Sequence, residues 1–462
     1  MRFNSTRRDG RRSGKPLRVF VGPIEIAGHY SGLAAALRSV GVDAVAVDIG
    51  NHPFAYEDAT SAPWPVRLAA RVIRSRERAR WRPLRVAWLA AELISRSALL
   101  LWSLGRFDAF IFSHGHTIWF GRELPLLRLL QRPMVFVFNG SDARPPYVDG
   151  AIMAANSGRT IEDCIRLTAR SKSRIRRIER HASAIVSQPA FSHFFERPVA
   201  DFFRMGVPWT AAPTPAGARP DGEIRVLHSP SRPDVKGTDR IREAVARVRA
   251  GGINVRLVEL QGVKNSAVRA EIARADFVVD QVYSDAPMVS FATEAASVAV
   301  PAIVGGYAWA ELNRIYPADA MPPVEQCHPD GLEAAIERLA TDRSYRRALG
   351  QRAHQFISRE WSPAQIASRY LTLLRGETPP SLMYDPTSVR YLCGVGLPQD
   401  RVRALVAETI RVGGMQALQL NDKPRLAAAF ASFASGASGC DAVDGTTAGA
   451  ASPSPSANSE DG

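Results

Sequence analysis

Between Leu17 and Gly306 the chain repeats one rhythm, a short β-branched or aromatic run followed by a helical stretch, and breaks it once. "LRVFVG", "DAVAVDI", "FDAFIFS", "RPMVFVF" and "SAIVSQ" read as buried strands, with amphipathic stretches such as "YSGLAAALRSVG" between them. Then "GVPWTAAPTPAGARPDGE", Gly206 to Glu223, is rich in Pro, Gly and Ala and reads as a linker. The rhythm restarts in "IRVLH", "NVRLVEL", "DFVVD" and "PAIVG", and Ile241, Ala244, Val245 and Val248 mark one apolar helical face between the first two. Such alternation dictates βαβ units and mostly parallel sheets, so the expected class is α/β, in two halves. Two such sheets facing each other leave a cleft at the carboxyl ends of their strands, where ligands of this class bind.

Length and composition fit that reading. The 462 residues are 46% hydrophobic and 23% charged, the balance of a soluble chain long enough for more than one core. The formal net charge of +14 attracts anions: nucleotides, nucleic acid or an anionic membrane face. Cys164, Cys327, Cys393 and Cys440 are scattered without metal-type or disulfide-framework spacing and read as reduced thiols of a cytoplasmic protein. No apolar signal core follows the basic "MRFNSTRRDGRRSGK". The most apolar long stretch, Arg85 to Leu104, is interrupted by Arg85, Glu92 and Arg96, which argues against a membrane span.

Chemistry concentrates at "HSPSRPDVKGTDR", His228 to Arg240, where a predicted strand gives way to a helix. Arg232 and Lys236 stand four residues apart in a turn broken by Pro230, Pro233 and Gly237. Two cations beside the free N–H groups of a helix start suit a phosphate, at roughly 1.5–3 kcal/mol per charge-assisted contact. A solvated basic corner is the plain alternative. Glu294 lies on a helix among Ala, Ser and Val, where a carboxylate calls for a ligand hydroxyl or a cation. His114 and His116 follow a predicted strand end and either face the cleft or pack structurally. Asp142 and Arg144 form either part of a site or a salt-bridged turn, and Gly28 suits a tight turn close to a diphosphate.

In order and spacing these segments resemble the GT-B glycosyltransferases of the family 4 kind, the "group 1" glycosyl transferases. "VLHSPSRPDVKGTDRIREAV" resembles the start of that family's second domain, and "ARADFVVDQVYSDAPMVSFATEAASVAVPAIVGG" its later strand, loop and Glu-bearing helix. "VFVGPIEIAGHYSGLAAALRSVGVDA", "MVFVFNGSDARPP", "ASAIVSQ" and "FFRMGVP" resemble parts of its first domain, so that the likeness spans roughly Leu17 to Arg375. It implies two Rossmann-like domains and transfer of a sugar from a nucleoside-diphosphate sugar to a hydroxyl acceptor, a glycan or lipid-linked precursor, with retention. Arg232, Lys236 and Asn139 would be catalytic; Gly28, Arg232, Lys236, Met288, Val289 and Glu294 would bind the donor, with Glu294 on the ribose; His114, His116, Asp142 and Arg144 would be acceptor or cleft residues. Two departures stand out. The first of the family's two glutamates is replaced by Ala286, beside Asp285, and its histidine after the fourth strand by Asn139, which cannot take a proton.

The expected organisation is a disordered basic start over 1–15, an acceptor domain over 16–205, a linker over 206–222 and a donor domain over 223–357. A helix crossing back over 358–376, a helical extension over 377–434 and a disordered tail over 435–462 complete it. No metal or other cofactor is expected, because the two cations would meet the diphosphate charge. The Arg67–Arg106 region, arginines at helical intervals among apolar residues, reads either as a solvated face or as a peripheral contact with anionic membrane at its inner face. No nucleic-acid module is present, and none is expected as partner. Two other readings remain open: a sugar-nucleotide or glycan binder without turnover, and a basic membrane- or nucleic-acid-binding scaffold.

Overall fold

The computed structural model describes residues 16–50, 62–79, 81–210, 222–437 and 439. The expected disordered segments at 1–15 and beyond 439, and most of the linker, lie outside the described residues.

The first half builds strands β1 (Arg18–Gly22), β2 (Asp43–Ala46), β3 (Ala109–Ser113), β4 (Met134–Val137), β5 (Ala184–Ser187) and β6 (Val199–Asp201). The second half builds β7 (Ile224–His228), β8 (Val255–Glu259), β9 (Phe277–Gln281), β10 (Ala302–Gly305) and β11 (Glu325–Cys327), and the two-residue β12 (Met383–Tyr384) follows late in the chain. Every residue of β3, β4, β5 and β9 is buried, as mainly apolar strands covered on both sheet faces require, and β3, β5 and β9 end in the polar residues Ser113, Ser187 and Gln281. The first sheet has the order β12-β6-β5-β4-β3-β1-β2, and the second β11-β10-β9-β7-β8. All pairings are parallel except β12 against β6, where Met383 faces Ala200. Strand order therefore reverses direction at β1/β3 in one sheet and at β7/β9 in the other. Those are the positions at which a doubly wound sheet opens a crevice.

Helices α1 (His29–Ser39), α2 (Trp64–Arg78), α3 (Arg82–Arg106) and α4 (Ile161–Glu179) belong to the first half, and α5 (Thr238–Ala250) and α6 (Ser290–Ala296) to the second. Helix α7 (Pro363–Leu374), capped by Ser362, returns to the first half and packs along α1. The extension is not wholly helical. It begins with β12 on the edge of the first sheet and continues through α8 (Gln399–Gly413) and α9 (Pro424–Ala434). Buried Lys172 of α4 anchors it through Asp422 at 2.8 Å, and the Tyr147 hydroxyl donates to the Leu418 carbonyl at 3.2 Å.

Between β12 and α8, Val389 to Leu397 runs as a strap along the junction of the two halves. The Val395 carbonyl accepts from Gly150 N–H at 2.8 Å on one side, while Gly396 N–H donates to the Tyr283 carbonyl at 2.9 Å on the other. A Cβ at Gly396, where φ is +66°, would stand 2.4 Å from a Val235 methyl, so only glycine lets the strap pass this close. Cys164 and Cys327 are buried free thiols, whereas Cys393, in the strap, is disulfide-bonded; the expectation of reduced thiols fails there. Two Rossmann-like parallel-sheet domains thus face a shared cleft, the GT-B arrangement that the sequence led us to expect.

Candidate functional site

The cleft is a cavity of about 440 Å³ at the carboxyl ends of both sheets, fed by the loops after β1, β3, β4 and β5 and, opposite, after β7, β8 and β9. Lys236 ends a single helical turn, Pro233–Lys236, which Gly237 closes in the left-handed region at φ +73°. A Cβ on Gly237 would lie 2.8 Å from Val282 Cβ, so this turn packs against the end of β9. There the Lys236 ammonium donates to Asp280 Oδ1 and Gln281 Oε1, both at 2.9 Å. An ammonium has three protons, and these contacts use two.

Arg232 takes another course. Its guanidinium donates to the Ala151 carbonyl across the domain junction at 2.9 Å and to Asp234 at 2.7 Å, and it is not among the cleft-lining residues. The spacing that suggested a paired phosphate clamp is present, but the turn sends its two cations to different places. His228 also belongs to the scaffold: Nδ1 meets the Val279 carbonyl at 2.8 Å and Nε2 the Thr238 hydroxyl at 2.9 Å, and burial lowers its pKa to about 4.

Glu294 on α6 lines the cleft, held by the Asn265 side-chain amide at 2.9 Å. Burial raises its pKa, against the lowering influence of Asn265 and Arg269. Val289 lines the cleft, and Met288, 1% exposed, turns into the core. Gly28, at φ +75°, starts α1 and lines an adjoining cavity of about 380 Å³ that shares Ala27, Asn265, Ser290 and Glu294 with the first. The first-turn N–H groups of α1 are already engaged by a side chain: buried Glu25 accepts from Tyr30 at 3.2 Å and Ser31 at 2.7 Å.

From the first domain, Asn139 lines the cleft, and its Oδ1 accepts from the Tyr30 hydroxyl. Asp142 does not reach the cleft. Its carboxylate accepts from the Asn139 and Gly140 N–H groups and lies 3.4 Å from His114 Nδ1, so it shapes the loop that presents Asn139. His114 lines the cleft at a left-handed φ of +51°; His116 stacks on it with ring centroids 5.5 Å apart, exposed and outside the lining. Arg144 reaches the cleft but is spoken for. It joins Asp149 of its own domain at 3.1 Å and Asp285 of the second domain at 2.6 Å, and its guanidinium lies over the Phe191 ring. Burial alone would lower its pKa; Asp285 and Asp149 outweigh that and leave it above the ordinary value.

The structure therefore gathers Asn139, His114, Arg144, Lys236, Val289 and Glu294 around one cavity and leaves Arg232, His116, Asp142 and Met288 outside its lining. It adds His29, Gln188, Asp280 and Gln281, none of them singled out by sequence reasoning, and Asp285, which the sequence marked only as the neighbour of Ala286. Gln188 and Asp280 share the one signal that was legible, a polar residue at the carboxyl end of a buried parallel strand.

No family model and no curated protein matches the chain. Among solved structures, a mutant of S. aureus TarM in complex with fondaparinux, alpha-GlcNAc-glycerol and UDP is similar at 11% identity and TM-score 0.39, over 58% of this chain and 55% of that one. SnogD from Streptomyces nogalater, a glycosyltransferase, is similar at 15% identity and TM-score 0.38, over 78% of this chain and 100% of that one. Phytolacca americana UGT2, complexed with UDP-2fluoro-glucose and pterostilbene, is similar at 12% identity and TM-score 0.44, over 78% and 98%.

Proposed function

We propose that the protein is a glycosyltransferase that moves a sugar from a nucleoside-diphosphate sugar to a hydroxyl acceptor, with retention of configuration. The observation that carries this reading is the meeting of Lys236 and Glu294 from the second domain with Asn139 from the first in one cavity at the switch points of both sheets. Lys236 would donate its remaining proton to the leaving diphosphate and offset the charge that builds there, in place of a metal ion. Glu294, steadied by Asn265, would accept from the ribose hydroxyls. Asn139 would donate to the donor or acceptor, with its carbonyl oxygen fixed by Tyr30. With no proton acceptor at position 139, the departing diphosphate would deprotonate the acceptor hydroxyl.

The test is thermal stability with UDP, GDP, ADP and CMP and their sugar conjugates, comparing wild type with Lys236→Ala. A ligand at about 100 times its Kd adds roughly 2.7 kcal/mol of stability. A shift for one nucleotide that is lost in the variant supports the reading, and the absence of any shift in a folded protein refutes it. The placement of Arg232 outside the cleft favours one other reading, a sugar-nucleotide binder without turnover. Release of the nucleoside diphosphate on incubation with candidate acceptors separates the two.

A glycan or lipid-linked precursor is the acceptor class we favour, reached at an anionic membrane face. Helix α3 supports this: Val86, Leu89, Leu93, Ile94 and Leu101 are exposed, with side-chain exposures of 41–71%. Its interior charges turn inward instead, Glu92 at 1% exposure pairing with Arg96 at 2.8 Å and Arg76 at 2.5 Å. The exposed side of α2 adds Trp64 and Leu68 among Arg67, Arg71 and Arg78, an apolar surface bordered by cations that matches anionic lipid. No helix of the described residues is long and apolar enough to cross a membrane.

A further inference from the structure

Three side chains lining the cleft are nearly fully buried and each keeps one polar atom without a hydrogen-bond partner among the described residues: His29 Nε2, Gln188 Oε1 and Asp280 Oδ2. Their exposures are 4%, 3% and 3%. A buried polar atom left unpaired costs about 1–3 kcal/mol, so three around one cavity need an explanation. Their origins differ. His29 opens α1, Gln188 follows β5, and Asp280 lies in β9 of the other domain.

We infer that His29, Gln188 and Asp280 form the subsite for the sugar ring of the donor, an inference that rests on the glycosyl-transfer reading above. The chemistry selects the ligand. Gln188 Oε1 and Asp280 Oδ2 are acceptors and call for O–H donors. A diphosphate offers only acceptor oxygens near neutral pH and is repelled by the Asp280 carboxylate, whereas a hexose ring carries several hydroxyls. Asp280 divides the work within one side chain: Oδ1 holds the Lys236 ammonium at 2.9 Å, and Oδ2 is left for the ring. The sugar thus lies next to the cation that receives the leaving group. His29 is held in place by stacking on Phe202, with ring centroids 5.3 Å apart, and both residues line the cavity. Its imidazole is fixed uncharged by burial, with a pKa lowered to about 3, so Nε2 meets a hydroxyl and gives no charge to a phosphate.

The experiment is calorimetric titration of the full chain as wild type, Gln188→Met and His29→Phe, with UDP, GDP and ADP and with their common hexose conjugates. Wild type is expected to bind one conjugate more tightly than its bare diphosphate. Each variant is expected to keep its affinity for the diphosphate and to lose on the order of tenfold for the conjugate, the scale of one buried hydrogen bond. Unliganded melting checks that the variants fold, and Gln188→Asn, which withdraws the amide by one methylene, replaces Gln188→Met should that variant not fold. Unchanged conjugate affinity in folded variants overturns the inference and leaves the glycosyl-transfer reading standing. So does a wild type that binds no conjugate better than its diphosphate. If no nucleotide binds at all, both fall together.

Discussion

Replacing Arg144 by methionine is expected to destabilise the protein by about 3–5 kcal/mol, the range for breaking a buried pair by removing one partner. Arg144 is 6% exposed and lies between Asp149 at 0% and Asp285 at 4%. With charge centres about 4 Å apart and an effective dielectric near 20, each attraction is worth about 4 kcal/mol before desolvation is counted. The two carboxylates are not equally dependent on the arginine. Asp149 also accepts from Ala151 N–H at 2.8 Å, while among the described residues the Asp285 carboxylate meets Arg144 alone. Removing the guanidinium therefore strands Asp285, in the second domain, more than Asp149, in the first. The assay is urea unfolding of wild type, Arg144→Met, Asp285→Asn and the double variant. The cycle is expected to show a coupling of about 2 kcal/mol or more, with the double variant more stable than Arg144→Met alone. A loss below about 1 kcal/mol for Arg144→Met, or a cycle without coupling, would refute the view that this cluster fastens the two domains together.

Two further expectations concern pH and surface. His193 and His228, with pKa values lowered to about 4 by burial, and His29, lowered to about 3, bind fewer protons folded than unfolded. Their stabilisation is complete above pH 6.5 and is lost as pH falls toward 4, at about 2 kcal/mol each between pH 7 and 5; Asp201, raised to about 6 by burial, acts oppositely and returns about 1 kcal/mol over the same span. The melting temperature should fall between pH 7 and 5, less steeply in His228→Gln, and a rise would show the sign to be wrong. For the surface, wild type should sediment with vesicles containing anionic lipid, in a salt-sensitive way, and the triple change Leu89→Ser, Ile94→Ser, Leu101→Ser should leave it in the supernatant without altering its melting by more than about 1 kcal/mol equivalent. Wild type that ignores such vesicles at low salt removes the membrane reading.

Much of the fold was legible because its strands are buried on both faces and announce themselves as short apolar runs. The restart after Gly206–Glu223 likewise separated the two sheets. Lys236 and Glu294 were legible for a related reason, since a Lys-Gly step after a strand and a carboxylate among small residues are local patterns. What escaped were features fixed by distant partners. β12 is two residues long in a proline-rich stretch and has no alternation to reveal it. The direction of Arg232 is decided by Ala151, far away in sequence, and by Asp234 beside it. Glu92 and Arg96 read as charges interrupting an apolar helix, and only their contacts show that they face inward and leave an apolar exterior. His29 looks ordinary in the chain, Gln188 and Asp280 show only that they end buried strands, and the three acquire a joint meaning when two domains bring them to one cavity.

The pairing of β12 with β6 has a consequence for how the protein is made. The outer edge of the first sheet is completed by Met383 and Tyr384, and α7, which covers α1, is also encoded after the whole second domain. As the chain leaves the ribosome, the first domain must wait with one strand edge unpaired and one helix face uncovered until the second has been synthesised. Contacts this distant in sequence are slow to form, and an open edge in the interval is a template for pairing with other chains. Early termination after residue 357 would thus leave the first domain unfinished although all of its other strands had been made, and soluble expression should depend on the last third of the chain more than on any residue of the cleft.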